Sequence, residues 1–352
     1  MLLFGLVGFL IYQITKGDER IEALNEKLTV LQQQNSQMTT TPAPDLMGSD
    51  IGKKQHLSED TRNLLQAGDN FLLAGNMKSA GLAYQKAQDK IGGTSPELEY
   101  LIGITALLQT KYEEAITHFD RVLKKDSDNA VALLARANAY MELPYDLIDF
   151  DQVTQDIEKA AKIEPDNEAI MNTRGLIEYR RTDYPASIAY YSKAIDLRPD
   201  LIQAYNNRGM ARKKMGDISG AIADFSRAIR MNPQYVSAYF NRAMLFQKEG
   251  QRDQALADYD MIIKLAPNDA GAYNNRGLIR MATGDIEGAI SDYSRSIEAK
   301  PGIDYRHVNL AEAYLISDNP KYAIEVVTNV MDDLEDVLLA PDTIVADSKS
   351  GT

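Results

Sequence analysis

The sequence has 352 residues, a formal net charge of −13 and a pI near 4.8, and it contains no cysteine. The absence of cysteine excludes disulfides, thiol catalysis and zinc–thiolate sites. The acidic balance argues against nucleic-acid binding, because contacts to phosphates require clustered lysine and arginine side chains.

Residues 1–15 form an apolar, uncharged stretch, MLLFGLVGFLIYQIT. A helix of this length would reach about 22 Å, less than the roughly 30 Å hydrocarbon core of a bilayer. We favour a short single-pass membrane anchor; a cleaved signal peptide and a span that begins upstream remain open. Lys16 and Arg20 follow the stretch and no basic residue precedes it. The positive-inside tendency therefore predicts a cytoplasmic location for the rest of the chain, at a bacterial inner membrane, with a periplasmic location as the alternative.

Residues 16–38 and 39–60 separate this stretch from the rest of the chain. The first segment places apolar residues at heptad spacing, which is compatible with a short coiled coil that forms a homodimer and equally with a solvated stalk helix. The second is rich in Thr, Pro and Gly and is predicted to be a flexible linker. The heptad positions are Ile21, Leu24, Leu28, Leu31, Asn35 and Met38.

A series of prolines, each 34 residues after the last, marks an internal repeat in the remaining chain. In residues 202–235, helix formers run to Met215, Gly216-Asp217 interrupts them, and a second apolar-periodic run ends at Asn232-Pro233. Because glycine ends helices and proline lacks an N–H, each unit is predicted to be two antiparallel helices. The prolines are Pro165, Pro199, Pro233, Pro267 and Pro301.

Residues 61–337 are predicted to contain about eight such repeats. The third is four residues longer than the others, and the excess fits an insertion at residues 142–146, between its two helices. The last repeat is degenerate, as expected for the end of a stack, and residues 338–352 are predicted to be a disordered tail. The repeats are 61–94, 96–129, 130–167, 168–201, 202–235, 236–269, 270–303 and 304–337.

The pattern inside each repeat resembles the tetratricopeptide repeat family. A small residue recurs in the first helix (Gly209, Ala243, Gly277), and an aromatic recurs in the second (Phe225, Tyr259, Tyr293). The resemblance implies an all-α, right-handed superhelical solenoid of stacked antiparallel helix pairs. Two positions depart from the family pattern. Tyrosine (Tyr205, Tyr239, Tyr273) replaces its tryptophan, and arginine (Arg174, Arg208, Arg242, Arg276) replaces its leucine.

The arginines suggest a further feature. Arg208, Arg242 and Arg276 each precede an aspartate, Asp224, Asp258 and Asp292, by 16 residues. We hypothesise a ladder of Arg–Asp pairs along the stack, the alternative being separately solvated charges that contribute about 0–1 kcal/mol per pair.

The resemblance also implies a concave groove, lined by the first helices, that binds a segment of a partner protein. Asparagine is suited to hydrogen-bonding a peptide backbone and methionine to an adaptable apolar surface, although the methionines could equally pack inside. The groove positions are Leu134, Asn138, Met141, Asn172, Tyr179, Asn206, Met210, Lys213, Phe240, Met244, Gln247, Asn274, Leu278 and Met281.

No motif in the sequence indicates catalysis or a cofactor. The three histidines, His56, His118 and His307, lie in different segments without metal-ligand spacing, and they are interpreted as surface or packing residues. The predicted function is therefore a non-catalytic, membrane-anchored scaffold or adaptor, without metal or cofactor, that takes part in assembling a membrane-associated complex. The alternative is a structural, self-assembling stalk or layer protein.

Overall fold

The structure is a computed structural model that describes residues 58–93, 95–302 and 305–339. In these ranges the regular structure is entirely helical, with sixteen α-helices and one short 3-10 helix. The predicted anchor, the heptad segment and nearly all of the linker lie outside the described residues, as does residue 340 onward. The α-helices are α1 (Glu59–Leu73), α2 (Met77–Ile91), α3 (Pro96–Leu108), α4 (Tyr112–Lys125), α5 (Ala130–Met141), α6 (Phe150–Ile163), α7 (Glu168–Arg180), α8 (Tyr184–Leu197), α9 (Ile202–Lys214), α10 (Ile218–Met231), α11 (Val236–Lys248), α12 (Arg252–Leu265), α13 (Ala270–Thr283), α14 (Ile286–Ala299), α15 (Tyr305–Ile316) and α16 (Pro320–Leu339).

The described residues form two compact units. The amino-terminal unit covers residues 58–224 and the carboxy-terminal unit covers residues 225–339, with the boundary inside α10. Within each unit, consecutive helices pair across short turns and each pair packs on the next. The prediction of an all-helical stack of helix pairs is confirmed. Among helices α1 to α16, none is both long and apolar enough to cross a bilayer.

Polar caps and left-handed turns set the helix boundaries. The side chains of Asn129, Asp183 and Asp285 each accept a hydrogen bond from the backbone N–H three residues on, so they cap α5, α8 and α14. Outside the long third repeat, the turn between the two helices of a repeat contains one residue with positive φ. Glycine supplies it at Gly284 (φ 85°), whereas Thr182 adopts the same conformation at φ 63°.

The recurring small residue on the first helix lies under a buried aromatic ring on the second helix. A methyl group added to Gly103 would lie 2.7 Å from the ring of Phe119, and one added to Gly277 would lie 2.7 Å from the ring of Tyr293. Both rings are almost fully buried. The glycines therefore allow the two helices of a repeat to approach closely, which offsets their low helix propensity.

The long third repeat accommodates its extra residues between α5 and α6. A 3-10 turn at Tyr145–Leu147 occupies this connection. Leu143 and Ile148 anchor it in the core of the amino-terminal unit, while Tyr145 and Leu147 are exposed. The insertion thus lies on the edge of the repeat and leaves the stacking of α5 and α6 intact.

Candidate protein-binding surface

In the amino-terminal unit, the predicted groove residues are largely engaged by their own fold. Met141 is only 1% exposed and belongs to the core cluster, and Leu134 is half-buried against that cluster. Asn138 accepts a hydrogen bond from Thr173 Oγ1 at 3.1 Å. Asn172 accepts one from Asn207 Nδ2 at 3.3 Å.

The remaining predicted groove positions of this unit are also buried or half-buried. Asn206 is fully buried, and its Nδ2 lies 3.8 Å from the sulfur of half-buried Met210. Tyr179 is half-buried and meets the ring of Tyr184 edge-on at 5.6 Å. Lys213 is half-buried near the end of α9. The predicted positions of this unit are therefore closely packed.

The equivalent positions of the carboxy-terminal unit present apolar side chains to solvent. Met244 on α11 is 42% exposed and Leu278 on α13 is 38% exposed. Phe240 is half-buried and meets Tyr259 edge-on at 6.0 Å, which fixes the orientation of its ring. Gln247 Oε1 accepts a hydrogen bond from the Tyr259 hydroxyl at 3.1 Å, so this polar residue is partly engaged by the fold.

Two further predicted positions of this unit face inward. Asn274 is 1% exposed; it accepts a hydrogen bond from Asn309 Nδ2 at 3.0 Å and donates one to Asn275 Oδ1 at 3.3 Å. Met281 packs against the cluster that contains Tyr293 and Leu310. The interpretation of Asn206 and Asn274 as exposed groove residues is thus corrected, because both are buried between helices, whereas Met141 follows the inward-packing alternative that the sequence left open for the methionines.

The asparagines have a structural role that the sequence analysis did not foresee. Asn138, Asn172 and Asn274 each accept a hydrogen bond from the residue 35 positions later, on the first helix of the next repeat. A side-chain amide can bridge two helices because it donates and accepts at once. Their oxygens therefore join neighbouring repeats. The signal in the sequence was the spacing of 35 residues, one more than the repeat length.

The predicted Arg–Asp ladder is confirmed in all three copies. Arg208 donates from Nε and Nη2 to Asp224 at 3.0 and 2.8 Å. Arg242 binds Asp258 in the same way at 2.9 and 2.7 Å, and Arg276 binds Asp292 at 2.9 and 2.6 Å. The aspartate side chains are at most 5% exposed. The pairs are therefore bidentate and shielded from water, unlike the solvated pairs of the alternative.

The third nitrogen of each arginine reaches back to the preceding repeat. Nη1 of Arg208 donates to Ser192 at 3.0 Å and Nη1 of Arg242 donates to Ser226 at 2.9 Å, whereas Arg276 meets Asp260 at 2.7 Å. The hydrogen bond to Asp292 raises the pKa of the Arg276 guanidinium, which keeps it charged. Each arginine thus links the second helices of two consecutive repeats.

A fourth Arg–Asp pair of the same kind lies in the third, longer repeat. Arg136 binds Asp156 at 2.8 and 2.6 Å and also donates to Asp120. The sequence analysis missed it because the insertion lengthens the spacing from 16 to 20 residues. Arg174 has Tyr190 at the position of the aspartate and lies over its ring at 5.5 Å instead.

The two departures from the family pattern are linked in space. The guanidinium of Arg208 lies 5.6 Å from the ring centroid of Tyr205, and that of Arg276 lies 5.6 Å from the ring of Tyr273. Tyrosine and arginine three residues apart on one helix can stack, so the pair replaces the family's tryptophan and leucine as a unit.

A buried charged cluster in the amino-terminal unit also escaped the sequence analysis. Glu99 Oε2 lies 2.6 Å from His118 Nδ1 and 3.3 Å from Arg121 Nη1, and Glu99 Oε1 accepts from Gln88 Nε2 at 2.7 Å. Burial alone would raise the pKa of the Glu99 carboxyl, but the hydrogen bonds from His118 and Gln88 outweigh it and hold that pKa below its usual value. His118 is thus a packing residue, as expected, with an unforeseen partner.

Comparison with known proteins identifies these repeats. Models described as tetratricopeptide repeat match residues 242–315, 202–235 and 100–144, and a model described as TPR repeat matches residues 175–216. A comparison with curated protein sequences found no significant match. The chain belongs to the tetratricopeptide repeat family. Proteins built from these repeats generally mediate protein–protein interactions and are typically non-catalytic scaffolds.

Several solved structures share this fold. A tetratricopeptide repeat protein from Parabacteroides merdae is 20% identical, with a TM-score of 0.53, over 73% of this chain and 99% of that one. PilW, a type IV pilus biogenesis factor, is 22% identical with a TM-score of 0.54, over 62% and 97% of the two chains. Pseudomonas aeruginosa PilF is 19% identical with a TM-score of 0.52, over 62% and 95%. These similarities extend to the fold alone.

Proposed function

We propose that this protein is a non-catalytic adaptor that holds a segment of a partner protein against the first-helix face of its carboxy-terminal unit. The observation that carries the proposal is the exposure of Met244 and Leu278, which lie at corresponding positions of consecutive repeats. Exposed apolar side chains repeated along one face favour a protein partner, because burying them removes apolar surface from water.

The composition of this face also suggests what it binds. Met244 has a flexible thioether, whereas Phe240 is held by Tyr259, so the surface combines an adaptable side chain with a fixed one. At roughly 25 cal/mol per Å² of buried apolar area, a few such side chains contribute several kcal/mol in total. The partner segment is therefore expected to carry apolar side chains spaced to meet successive repeats.

We further propose that residues 1–15 tether the adaptor to a membrane, at a bacterial inner membrane with the repeats in the cytoplasm. Support comes from the apolar, uncharged sequence of this stretch and from the basic residues that follow it. Alkaline extraction of membranes tests the tether: the full chain should remain in the pellet and a chain lacking residues 1–15 should be released. Protease protection in spheroplasts, with intact repeats supporting the cytoplasmic side and degraded repeats the periplasmic side, tests the orientation.

The binding proposal is tested with a pair of charge variants of the full chain. Met244→Glu with Leu278→Glu should abolish co-purification of the partner while leaving the thermal midpoint unchanged, because both side chains already contact water. Ala257→Glu with Ser291→Glu is the matched control, since both residues are exposed on the second helices of the same repeats. Equal capture of the partner by the groove variant and by the control would contradict the proposal.

A further inference from the structure

The connection between α5 and α6 presents two large apolar side chains that the helical fold does not use. Tyr145 is 55% exposed and Leu147 is 57% exposed. The ring of Tyr145 lies 5.6 Å from that of half-buried Phe150, at an interplanar angle of 60°. In the following repeat, residues 181–183 alone join the two helices. The extra length that carries Tyr145 and Leu147 is therefore not required to connect a helix pair.

The backbone of this connection is fixed from both ends. Leu143 and Ile148 are 7% and 9% exposed and belong to the core cluster of the amino-terminal unit. Between them, the N–H of Leu147 donates to the carbonyl of Pro144 at 2.8 Å, and the N–H of Ile148 donates to the carbonyl of Tyr145 at 3.4 Å. The exposed side chains are thus held on an ordered turn. A surface that is ordered before binding loses less conformational freedom when a partner docks.

The charge around these side chains is negative. Between Arg136 and Lys159 the chain has six acidic residues and no basic residue. Arg136 pairs with one of them, Asp156, at 2.6 Å. Asp146 lies between the two exposed apolar residues and Asp151 lies in the first turn of α6; both are exposed, and neither forms an ion pair with a described residue. Two carboxylates are therefore available beside the apolar side chains.

The basic residues at the corresponding turns of the adjoining repeats are already paired. Lys111, at the start of α4, lies 3.0 Å from Glu114. Arg181, at the end of α7, lies 3.2 Å from Glu178. These pairs lie within their own repeats, so the negative charge of the connection between α5 and α6 is not balanced by its neighbours.

We propose that the insertion surface, formed by Tyr145, Asp146, Leu147 and Asp151, binds a short segment of a partner protein that combines lysine or arginine with apolar side chains. Burying Tyr145 and Leu147 removes apolar area from water. The carboxylates pair with a cationic side chain, and the face of the tyrosine ring attracts a guanidinium group as well. An acidic segment is repelled. A second copy of the same surface would place carboxylates against carboxylates, which disfavours self-association through it.

This surface is separate from the one proposed to hold a partner in the carboxy-terminal unit. The insertion surface lies on a connection between helices of the amino-terminal unit, whereas Met244 and Leu278 lie on first helices of the carboxy-terminal unit. The two surfaces share no residue, so either proposal can fail without the other.

Selection from a library of random short peptides displayed on phage tests the chemistry of the occupant. The full chain is the bait, and peptides that also bind the Tyr145→Ser, Leu147→Ser variant are discarded. Because this variant keeps residues 1–15 and Met244, the subtraction removes peptides that bind elsewhere. The remaining peptides should be enriched in lysine or arginine together with apolar residues. A failure to recover any peptide that distinguishes the parent from the variant, or enrichment of acidic peptides, would overturn the proposal.

Fluorescence anisotropy with one selected peptide then measures the two contributions separately. Tyr145→Ser with Leu147→Ser should weaken binding by about tenfold or more. Asp146→Asn with Asp151→Asn should weaken it by about three- to tenfold and reduce its salt dependence. The matched control is Asp166→Asn with Asp196→Asn, which removes the same charge from exposed positions of the same unit and should leave the affinity within about twofold.

Three further observations keep the result interpretable. The thermal midpoint should be unchanged in every variant, because the substituted side chains are exposed. Met244→Glu should leave peptide binding unchanged. Equal weakening by the two aspartate pairs would show a general attraction to an acidic protein and would overturn the proposal. Self-association of the parent chain that the Tyr145→Ser, Leu147→Ser variant loses would also overturn it, because a second copy would then occupy the surface.

Discussion

The first-helix faces of the two units differ although the repeats share one framework. In the amino-terminal unit, Asn138 and Asn172 bond to the next repeat and Met141 is buried. In the carboxy-terminal unit, Asn274 makes the same kind of contact, but Met244 and Leu278 are 42% and 38% exposed. The same helical hairpin therefore serves mainly as a packed spacer in one unit and in addition exposes apolar side chains in the other. Fold alone does not determine which of these a repeat becomes.

The largest losses of stability are expected at the close contact between the small residue of the first helix and the aromatic ring of the second. They should be similar in the two units. Gly277→Val should destabilise the carboxy-terminal unit by about 3 kcal/mol or more, because the new side chain collides with the buried ring of Tyr293. Gly103→Val should have a similar effect through Phe119. Gly277→Ala should cost less, since Ala243 already occupies the equivalent slot. Urea denaturation measures each change, and a Gly277→Val chain as stable as the parent would contradict the packing argument.

The arginine ladder allows a sharper comparison inside the carboxy-terminal unit. Asp292 accepts hydrogen bonds from both Arg276 and Arg280, whereas Asp258 is bound by Arg242 and has Phe246 at the place of the second arginine. Arg242→Met should therefore destabilise by about 2–3 kcal/mol and Arg276→Met by about 1 kcal/mol, because only the first leaves a buried carboxylate without a cation.

Chemical denaturation of the two arginine variants at low and high salt tests this difference. The order of the two losses should persist at high salt, because the carboxylates are shielded from screening ions. Equal losses for Arg242→Met and Arg276→Met would show that the second arginine gives no support to Asp292.

The Glu99 cluster should contribute acid sensitivity to the amino-terminal unit. The folded-state pKa of Glu99 lies below its usual value, so its carboxylate contributes stability at a pH above the unfolded-state pKa, and the contribution is lost as the pH falls through the folded-state pKa. Glu99→Gln should therefore be less stable than the parent chain at neutral pH, and the difference should shrink in acid. Hydrogen exchange of α3 and α4 as a function of pH measures it. A difference that stays constant down to pH 3 would contradict this assignment.

The smallest changes in stability are expected at the turn between the two helices of a repeat. Thr182 has a φ of 63°, which a β-branched residue adopts only at a cost of about 1 kcal/mol. Thr182→Gly should accordingly stabilise the amino-terminal unit slightly. Gly284→Thr, at the equivalent turn of the other unit, should destabilise by about the same amount. Thermal midpoints of the two variants that shift in the same direction would contradict the strain argument.

Much of the fold could be predicted from the sequence because the same residue pattern occurs in several consecutive repeats. The small residue on the first helix and the buried aromatic on the second recur in phase, so each copy supports the others. The Arg–Asp ladder followed for the same reason, since a constant spacing of 16 residues between two helices of one hairpin implies contact. The pair formed by Arg136 and Asp156 was not predicted, because the insertion lengthens that spacing.

The site was harder to predict, because helical spacing gives the face of a residue but not what the next repeat places against it. Asn274 lies on the expected helix, yet Asn309 covers it from the following repeat. The pairing of Glu99 with His118 likewise joins two helices through residues that no repeat pattern singles out. Burial at a repeat–repeat contact depends on the size of both neighbours, which a single periodic pattern does not specify.

Site-specific photocrosslinking in intact cells tests the central claim most directly. The full chain would carry a photoreactive phenylalanine analogue at Met244 or Leu278 on the first-helix face, or at Ala257 on the exposed side of α12. The account predicts the same discrete crosslinked partner protein from Met244 and Leu278, and none from Ala257. Crosslinks of equal yield from all three positions, or a partner captured from Ala257 alone, would contradict it.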